Sequence, residues 1–344
     1  MLIKKLKRGS VFLLLVFLLS ACQQQKTEKP YPLQYSDAIM GTSFTVKVSS
    51  IPDSLSSDEV KINIKDLLDK LNGQMSTYKQ DSELSLINQS TSSEWISVSD
   101  SLYAVLKQAD TISKLSEGAF DITVGPLVNL WGFGPNDMSF VAPSDEVINQ
   151  NLGKIGYTNL LFNDDKQQIK KQFPDLYLDL SAIAKGYAVD RVGLLLEENG
   201  ILNYMVEIGG ELRLKGQNNH QQAWRIAVEK PTAEKRMIQK VLPLTDISLA
   251  TSGDYRNFFE VDGVRFSHTI DPRTGKPITH KLASITILSD TTMKADALAT
   301  ALMVLGSEQG YQLAEKENIA ALFIIKTKDG FIEKASSSFV ARLR

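Results

Sequence analysis

Leu176-Tyr177-Leu178-Asp179-Leu180-Ser181-Ala182-Ile183-Ala184-Lys185-Gly186-Tyr187 is the stretch in which the chain changes period. Leu176–Leu180 is a short apolar run that reads as a strand. Ser181 is a good N-cap, and Ile183, Tyr187, Ala188, Val192 and Leu195 then follow a helical stripe that Gly200 closes. Strand therefore meets helix directly, with a carboxylate and a hydroxyl at the junction. Upstream, Thr42–Val48 alternates and is the first expected strand. Val60, Ile64, Leu67, Leu68 and Leu71 form a helical stripe behind Ser56 and Ser57. Leu102, Val105, Leu106, Ala109 and Ile112 form another between Asp100 and Gly118. Downstream, Met205–Ile208, Trp224–Val228 and Ala283–Leu288 read as strands. Thr291-Thr292 opens a helix that Gly306 closes, and Lys328-Asp329-Gly330 joins Ala320–Ile325 to Phe331–Glu333 as a hairpin. Helices and strands are mixed without strict alternation, which points to the α+β class. There is no repeat of fixed period and no clean domain boundary after residue 39.

The N-terminus reads as an address. Lys4, Lys5, Lys7 and Arg8 precede an uncharged apolar run, Val11–Leu19, shorter than the ~20 residues a membrane-spanning helix needs. It ends in Leu19-Ser20-Ala21-Cys22, which resembles the lipobox of bacterial lipoproteins. That resemblance implies cleavage after residue 21 and a diacylglyceryl group on Cys22. Cys22 is the only Cys in the chain, so no intramolecular disulfide is available and stability rests on the core. The expected organisation is a signal over residues 1–21, a polar tether over 22–38 and a globular domain over 39–344. The expected location is outside the cytoplasm, lipid-anchored on the outer face of the inner membrane or in the periplasm. Gln23 is not the Asp that retains many lipoproteins on the inner membrane, which leaves outer-membrane anchoring open. The net charge of −2 becomes more acidic once the basic signal is removed, and this argues against nucleic-acid binding.

Five segments have more polar punctuation than packing requires. Ser116–Leu127 sets Gly118, Ala119, Phe120 and Asp121 just past a helix, where an aromatic and a carboxylate can shape a loop against a planar ligand; the plainer reading is a helix end running into a strand. Asp179 and Ser181 sit where free backbone N–H groups suit anions, or are simply caps. Gly209-Gly210-Glu211 permits close backbone approach but lacks dinucleotide-fingerprint spacing, and alone reads as a turn. Thr251-Ser252-Gly253-Asp254-Tyr255-Arg256 is followed by Ser267-His268-Thr269-Ile270-Asp271-Pro272-Arg273-Thr274-Gly275. Here His268 lies among Ser, Asp and Arg, and can act as a general base or as a hydrogen-bonded turn residue. His220 and His280 read as surface residues. In Lys294-Ala295-Asp296-Ala297-Leu298-Ala299-Thr300-Ala301, Asp296 and Thr300 are four apart and share a helix face. Their hard oxygens suit Mg²⁺ or Ca²⁺ rather than zinc, or the Asp is a surface residue favoured by the helix dipole.

Taken together and in this order, these segments resemble the ApbE family, the FAD:protein FMN transferases. The likeness begins at Met40-Gly41-Thr42, continues through Met75-Ser76-Thr77-Tyr78 and Asp81-Ser82-Glu83, and includes all five segments, so it spans nearly the whole chain after the tether. It implies an ApbE-like, T-fold-related architecture of mixed sheets with packed helices, and an FAD cleft between two intimate subdomains. It implies that Met40, Tyr78, Ala119, Phe120, Asp121, Asp179, Lys185 and Ile270 line the FAD site. It assigns Mg²⁺, with Ca²⁺ an option in the same site, to the Ala182 carbonyl, Asp296 and Thr300. Some members carry a further Asp where this chain has Ala299, and some carry Glu where it has Lys185. The implied reaction moves FMN from FAD to a Thr or Ser hydroxyl of an acceptor flavoprotein and releases AMP. His268 would be the base, with Asp271 orienting its loop. Membrane redox-pump subunits are among the implied acceptors. An FAD pyrophosphatase releasing FMN and AMP would use the same site, and a flavin-binding lipoprotein would need neither His268 nor the Asp296/Thr300 pair.

Overall fold

In the computed structural model, which describes residues 30–134, 142–232, 237–253, 258–261 and 264–343, the expected elements assemble around an antiparallel sheet. The expected signal, Cys22 and residues 22–29 of the tether lie outside the described residues, as do Asp254, Tyr255 and Arg256. The chain runs β1 (Leu33–Ile39), β2 (Thr42–Val48), α1 (Ser57–Met75), α2 (Glu83–Gln89), β3 (Ile96–Ser97), α3 (Asp100–Leu115), α4 (Gly125–Leu130), α5 (Asp145–Leu152), β4 (Leu160–Asn163), β5 (Gln168–Lys171) and α6 (Ala184–Glu198). It continues through β6 (Tyr204–Ile208), β7 (Glu211–Lys215), β8 (Trp224–Glu229), β9 (Ile238–Leu244), β10 (Ile247–Gly253), β11 (Phe258–Val261), β12 (Val264–Ser267), β13 (Ile270–Asp271), β14 (Lys276–Pro277), β15 (Leu282–Ser289), α7 (Thr292–Lys316), β16 (Ala320–Thr327), β17 (Gly330–Ala335) and α8 (Ser337–Arg342).

The main sheet has the order β1-β2-β6-β7-β10-β15-β16-β17, and every neighbouring pair is antiparallel. Every residue of β15 is buried, because both faces of the sheet are covered at its centre. The period of two in β16 divides its side chains between those faces. Ala321 and Phe323 join the core shared with α1, α3, α6 and α7. Ala320, Leu322 and Ile324 join a second core that the β8–β9 ribbon closes with Trp224, Ile226, Val228, Leu242 and Leu244. A third, smaller cluster packs α4 and α5 against the β13–β14 turn through Leu127, Trp131, Ile148 and Ile270. The described chain from Tyr31 onward forms one compact unit built around these three cores.

Several expectations need correction. The tether does not extend to residue 38: Leu33–Ile39 is the edge strand β1, in register with β2 from Leu33↔Val48 to Ile39↔Thr42. Gln34 and Ser36 make it look like a linker because one side of an edge strand faces water. Leu33 and Ile39 occupy the alternate positions, and Tyr35 meets Phe44 edge-on at 5.0 Å. Leu176, Leu178 and Leu180 are buried, but among the described residues this run pairs in no ladder. The Asn88 side chain stands in for a neighbouring strand, accepting from Leu178 N–H and donating to its carbonyl. Ser181 is not a cap. Ile183 occupies that position without a side-chain hydrogen bond, and the helix starts at Ala184. The last long helix does leave helical geometry at Gly306, but then continues to Lys316. His280 is half-buried at that break and donates from Nε2 to the Met303 carbonyl (2.8 Å), so it caps a helix end and is not a surface residue. His220 is exposed, as expected.

Candidate active site

A cleft of about 720 Å³ opens where the three cores meet, within the ~300–1,000 Å³ usual for small-molecule sites. Its floor is made by the starts of α6 and α7. At Gly186 the two helices touch: a Cβ there would lie 2.5 Å from the Thr292 carbonyl and 2.8 Å from Asp296 Cβ, so only glycine fits. The Gly186 N–H donates to Asp296 Oδ2 (3.0 Å). Just before α6, Asp179 Oδ1 accepts from Ser181 N–H (2.8 Å), and the Ser181 carbonyl accepts from Lys185 Nζ (2.9 Å). This bend brings Ala182 and Lys185 into the cleft opposite Asp296 and Thr300, and all four line it.

The floor is electrostatically unusual. Asp296 and Glu211 are both buried, each about 5% exposed. Glu211 Oε1 lies 3.9 Å from Lys185 Nζ, and its Oε2 has no hydrogen-bond partner among the described residues. Burial pushes the Asp296 carboxyl up, and Lys185 only partly opposes that. Burial likewise pushes Glu211 up to about 8 despite Lys185. Burial would depress the Lys185 ammonium, but Asp296, Glu211 and Asp179 outweigh it and hold the group above its ordinary value. Among the described residues, two desolvated acids thus share a single nearby ammonium, in a pocket of oxygen donors that includes the Thr300 hydroxyl.

The walls supply the remaining groups. His268 is half-buried on the cleft surface, with Phe133 edge-on to its ring at 6.3 Å. Ile270 is buried beside it, and Tyr78 stands at the mouth, 70% exposed. Asp271 does not reach His268: its carboxylate takes two hydrogen bonds from the Arg273 guanidinium, at 2.9 and 2.8 Å, and another from Arg273 N–H. That clasp fixes the Asp271–Gly275 turn, which Trp131 Nε1 anchors through the Gly275 carbonyl (2.8 Å). Asp271 therefore shapes the turn after His268 without touching the imidazole.

Of the residues expected to line an FAD site, Tyr78, Asp179, Lys185 and Ile270 do line this cleft. Met40, Ala119, Phe120 and Asp121 do not. Ala119 and Phe120 are buried. Asp121 spends both oxygens inside the protein, on Thr123 N–H and Oγ1 and on Tyr157 N–H, while burial pushes its carboxyl up. Met40 sits at φ 48° in the β1–β2 turn. The start of β2 that follows it lies beside the cleft-lining Gly209-Gly210 turn, whose Gly209 N–H donates to the Ser43 carbonyl. Ala299, where the family resemblance allows a further Asp, is buried in the core. Sequence reading missed Glu211 as a cleft residue. Its signal was an acid after two glycines, which a turn explains equally well.

The model of the ApbE family matches residues 40–323. The chain belongs to the ApbE family. An FAD:protein FMN transferase of Vibrio cholerae serotype O1 is 48% identical over 94% of this chain and 95% of its own length. One from Haemophilus influenzae is 43% identical over 98% and 97%. The solved flavin transferase ApbE from Vibrio cholerae superposes with a TM-score of 0.84, covering 90% of this chain and 98% of that one. The mixed, antiparallel architecture described above is thus the ApbE fold, as the resemblance implied. The cleft lies within the matched residues, and the β1 edge strand begins just before them.

Proposed function

We propose that this chain is an FAD:protein FMN transferase that uses Mg²⁺ to move FMN from FAD to a threonine or serine hydroxyl of an acceptor flavoprotein. The observation that carries the metal part is the buried Asp296/Glu211 pair offset by one ammonium, with an unpartnered Glu211 oxygen. A buried negative excess bordered by a hydroxyl and backbone carbonyls fits a hard divalent cation. Asp296, Thr300 and the Ala182 carbonyl would hold it. When bound, it would neutralise charge on the pyrophosphate oxygens.

The chain's own residues then have separable tasks. Lys185, held by the Ser181 carbonyl, keeps a fixed positive charge beside the same phosphates. Tyr78 and Ile270 offer the flat and apolar surface a flavin ring requires. His268 takes the proton of the acceptor hydroxyl as its oxygen attacks the FMN phosphorus. The bond from that phosphorus to the bridging oxygen breaks, and AMP leaves with the bridging oxygen. The test is incubation with FAD and Mg²⁺, with and without an acceptor. A fluorescent acceptor band, released AMP and loss of both on chelation are expected. Free FMN with an unlabelled acceptor would instead make the protein a pyrophosphatase, and no turnover would leave a flavin-binding protein.

The same reading places the enzyme outside the cytoplasm, tethered through Cys22, where exported acceptors such as membrane redox-pump subunits are displayed. Among the described residues no helix is long and apolar enough to cross a membrane, so attachment would rest on the lipid. Cys22→Ala should shift the protein from the membrane to the soluble fraction and leave the specific activity of the soluble protein at the wild-type level. Failure of the wild-type protein to incorporate labelled fatty acid, or equal incorporation by Cys22→Ala, would refute the lipid anchor.

A further inference from the structure

The floor of the cleft is assembled from two helices, and a residue outside the cleft ties them together. Asp190 lies one turn along α6 from Gly186 and is buried. Its Oδ1 accepts from Thr292 N–H (2.8 Å) and its Oδ2 from Met293 N–H (2.9 Å). Those amides belong to the first turn of α7, where N–H groups have no partner within the helix and the dipole favours an anion. Arg213 Nη1 approaches the same carboxylate at 3.2 Å. It can do so because residue 193 is glycine: a Cβ there would meet Arg213 Cδ at 2.5 Å. Thr292 is also held through its hydroxyl, which donates to the Leu212 carbonyl or Ser248 Oγ at 3.2 and 3.0 Å. One turn further along α7, Asp296 accepts from Gly186 N–H. The two helices are therefore tied in both directions, α6 to α7 by Asp190 and α7 to α6 by Asp296.

We infer that Asp190 is a positioning residue for the oxygen site: it sets the register and rotation of α7 that bring Asp296 and Thr300 up to Ala182. The inference rests on the proposed metal role of those three residues. Asp296 already gives Oδ2 to Gly186, so Oδ1 is the oxygen left for the cleft. A small rotation of α7 would therefore misdirect the site without unfolding the protein. Asp190→Asn keeps the shape but leaves one acceptor for two amides and removes one of the two carboxylates paired with Arg213, Glu197 being the other.

The experiment is a titration of the full-length, metal-free protein with Mg²⁺ alone, and with Mn²⁺ followed by electron paramagnetic resonance. Supporting groups of metal ligands typically change affinity ~10–100-fold, and D190N should bind both ions more weakly by that factor. Transfer by D190N should recover towards the wild-type rate at saturating Mg²⁺. Glu197→Gln is the control: Glu197 contacts Arg213 and Tyr204 in the same network but makes no hydrogen bond to α7. E197Q should melt earlier yet bind metal as the wild type does. If D190N does not fold, Asp190→Glu keeps the charge while pushing α7 outward, and the same weakening is expected. Wild-type affinity in a folded Asp190 variant overturns the inference, and so does equal weakening in E197Q. A wild-type protein that binds neither ion overturns the metal reading and this inference with it, whereas a failure confined to Asp190 leaves that reading intact.

Discussion

Asp296→Asn should abolish flavin transfer and the response to added Mg²⁺ while leaving the metal-free protein at least as stable as the wild type. The amide oxygen can still accept from Gly186 N–H, so the α6–α7 contact survives. What disappears is a buried negative charge that burial already disfavours. Metal-assisted charge stabilisation is worth several kcal/mol, which corresponds to a loss of ~10³-fold or more in rate. The pH dependence separates a ligand from a scaffold residue. Burial raises the folded-state pKa of Asp296 and pushes that of Glu211 to about 8. The stability these groups confer is therefore complete below the ordinary carboxylate pKa and is lost as pH rises through the folded values. Metal-free wild type should melt at a lower temperature at pH 8 than at pH 5.5. Mg²⁺ should raise the melting temperature at pH 8. The Asp296→Asn variant should show a shallower fall with pH and no gain from Mg²⁺. Calorimetry at the two pH values, with and without Mg²⁺, reads all three effects. An unchanged Mg²⁺ titration in the variant would remove Asp296 from the metal site.

What the sequence disclosed and what it concealed follows from the range of the interactions involved. The stripes of α1 and α3, the strands β15 and β16 and the Lys328–Gly330 hairpin are legible because their periods are local. The break at Gly306 is legible for the same reason. β1 reads as tether because an edge strand shows water the polar half of its alternation. Ser181 reads as a cap because its chemistry suits one; in the fold, its N–H is taken by Asp179 and its carbonyl by Lys185. The site was less legible, since the contact that builds it joins Gly186 to Asp296, 110 residues apart. Periodicity cannot report such a contact. Each half of the site reads acceptably as a capped helix start, and only the order of the segments along the chain, seen as a family resemblance, connected them. Asp121 shows what residue type alone leaves out: it is a polar residue in a suggestive loop, and its oxygens accept from Thr123 and Tyr157 inside the protein. Neither Asp190 nor Glu211 stands out as a site residue in the sequence, because a single acid on an apolar helix face or after a glycine turn has ordinary explanations until burial is known.

His268→Ala should lower the rate of flavin transfer by ~10²–10⁴-fold, the usual worth of a positioned general base, with little change in FAD or Mg²⁺ affinity. The split follows from geometry. His268 stands on the wall with Phe133 edge-on to its ring, while the oxygen site is built from α6 and α7 and the apolar surface from Ile270 and Tyr78. Removing the imidazole should leave both in place. Ser267, buried next to it, holds the turn by accepting from Thr269 N–H (3.2 Å), and the Asp271–Arg273 clasp fixes the residues beyond. The truncated side chain should therefore leave a space without collapse of the loop. Added imidazole can enter such a space, so partial recovery of transfer by H268A in imidazole buffers is expected, with no effect of imidazole on the wild type. Disruption of the clasp by Asp271→Asn should act differently, because Asp271 touches the turn and not the imidazole: imidazole should not restore whatever activity it loses. Single-turnover labelling of an acceptor, with FAD binding followed separately by fluorescence, measures each quantity. H268A labelling its acceptor at close to the wild-type rate would end the assignment of His268 as the base. It would direct attention to Glu211, the buried cleft carboxylate whose second oxygen has no partner among the described residues.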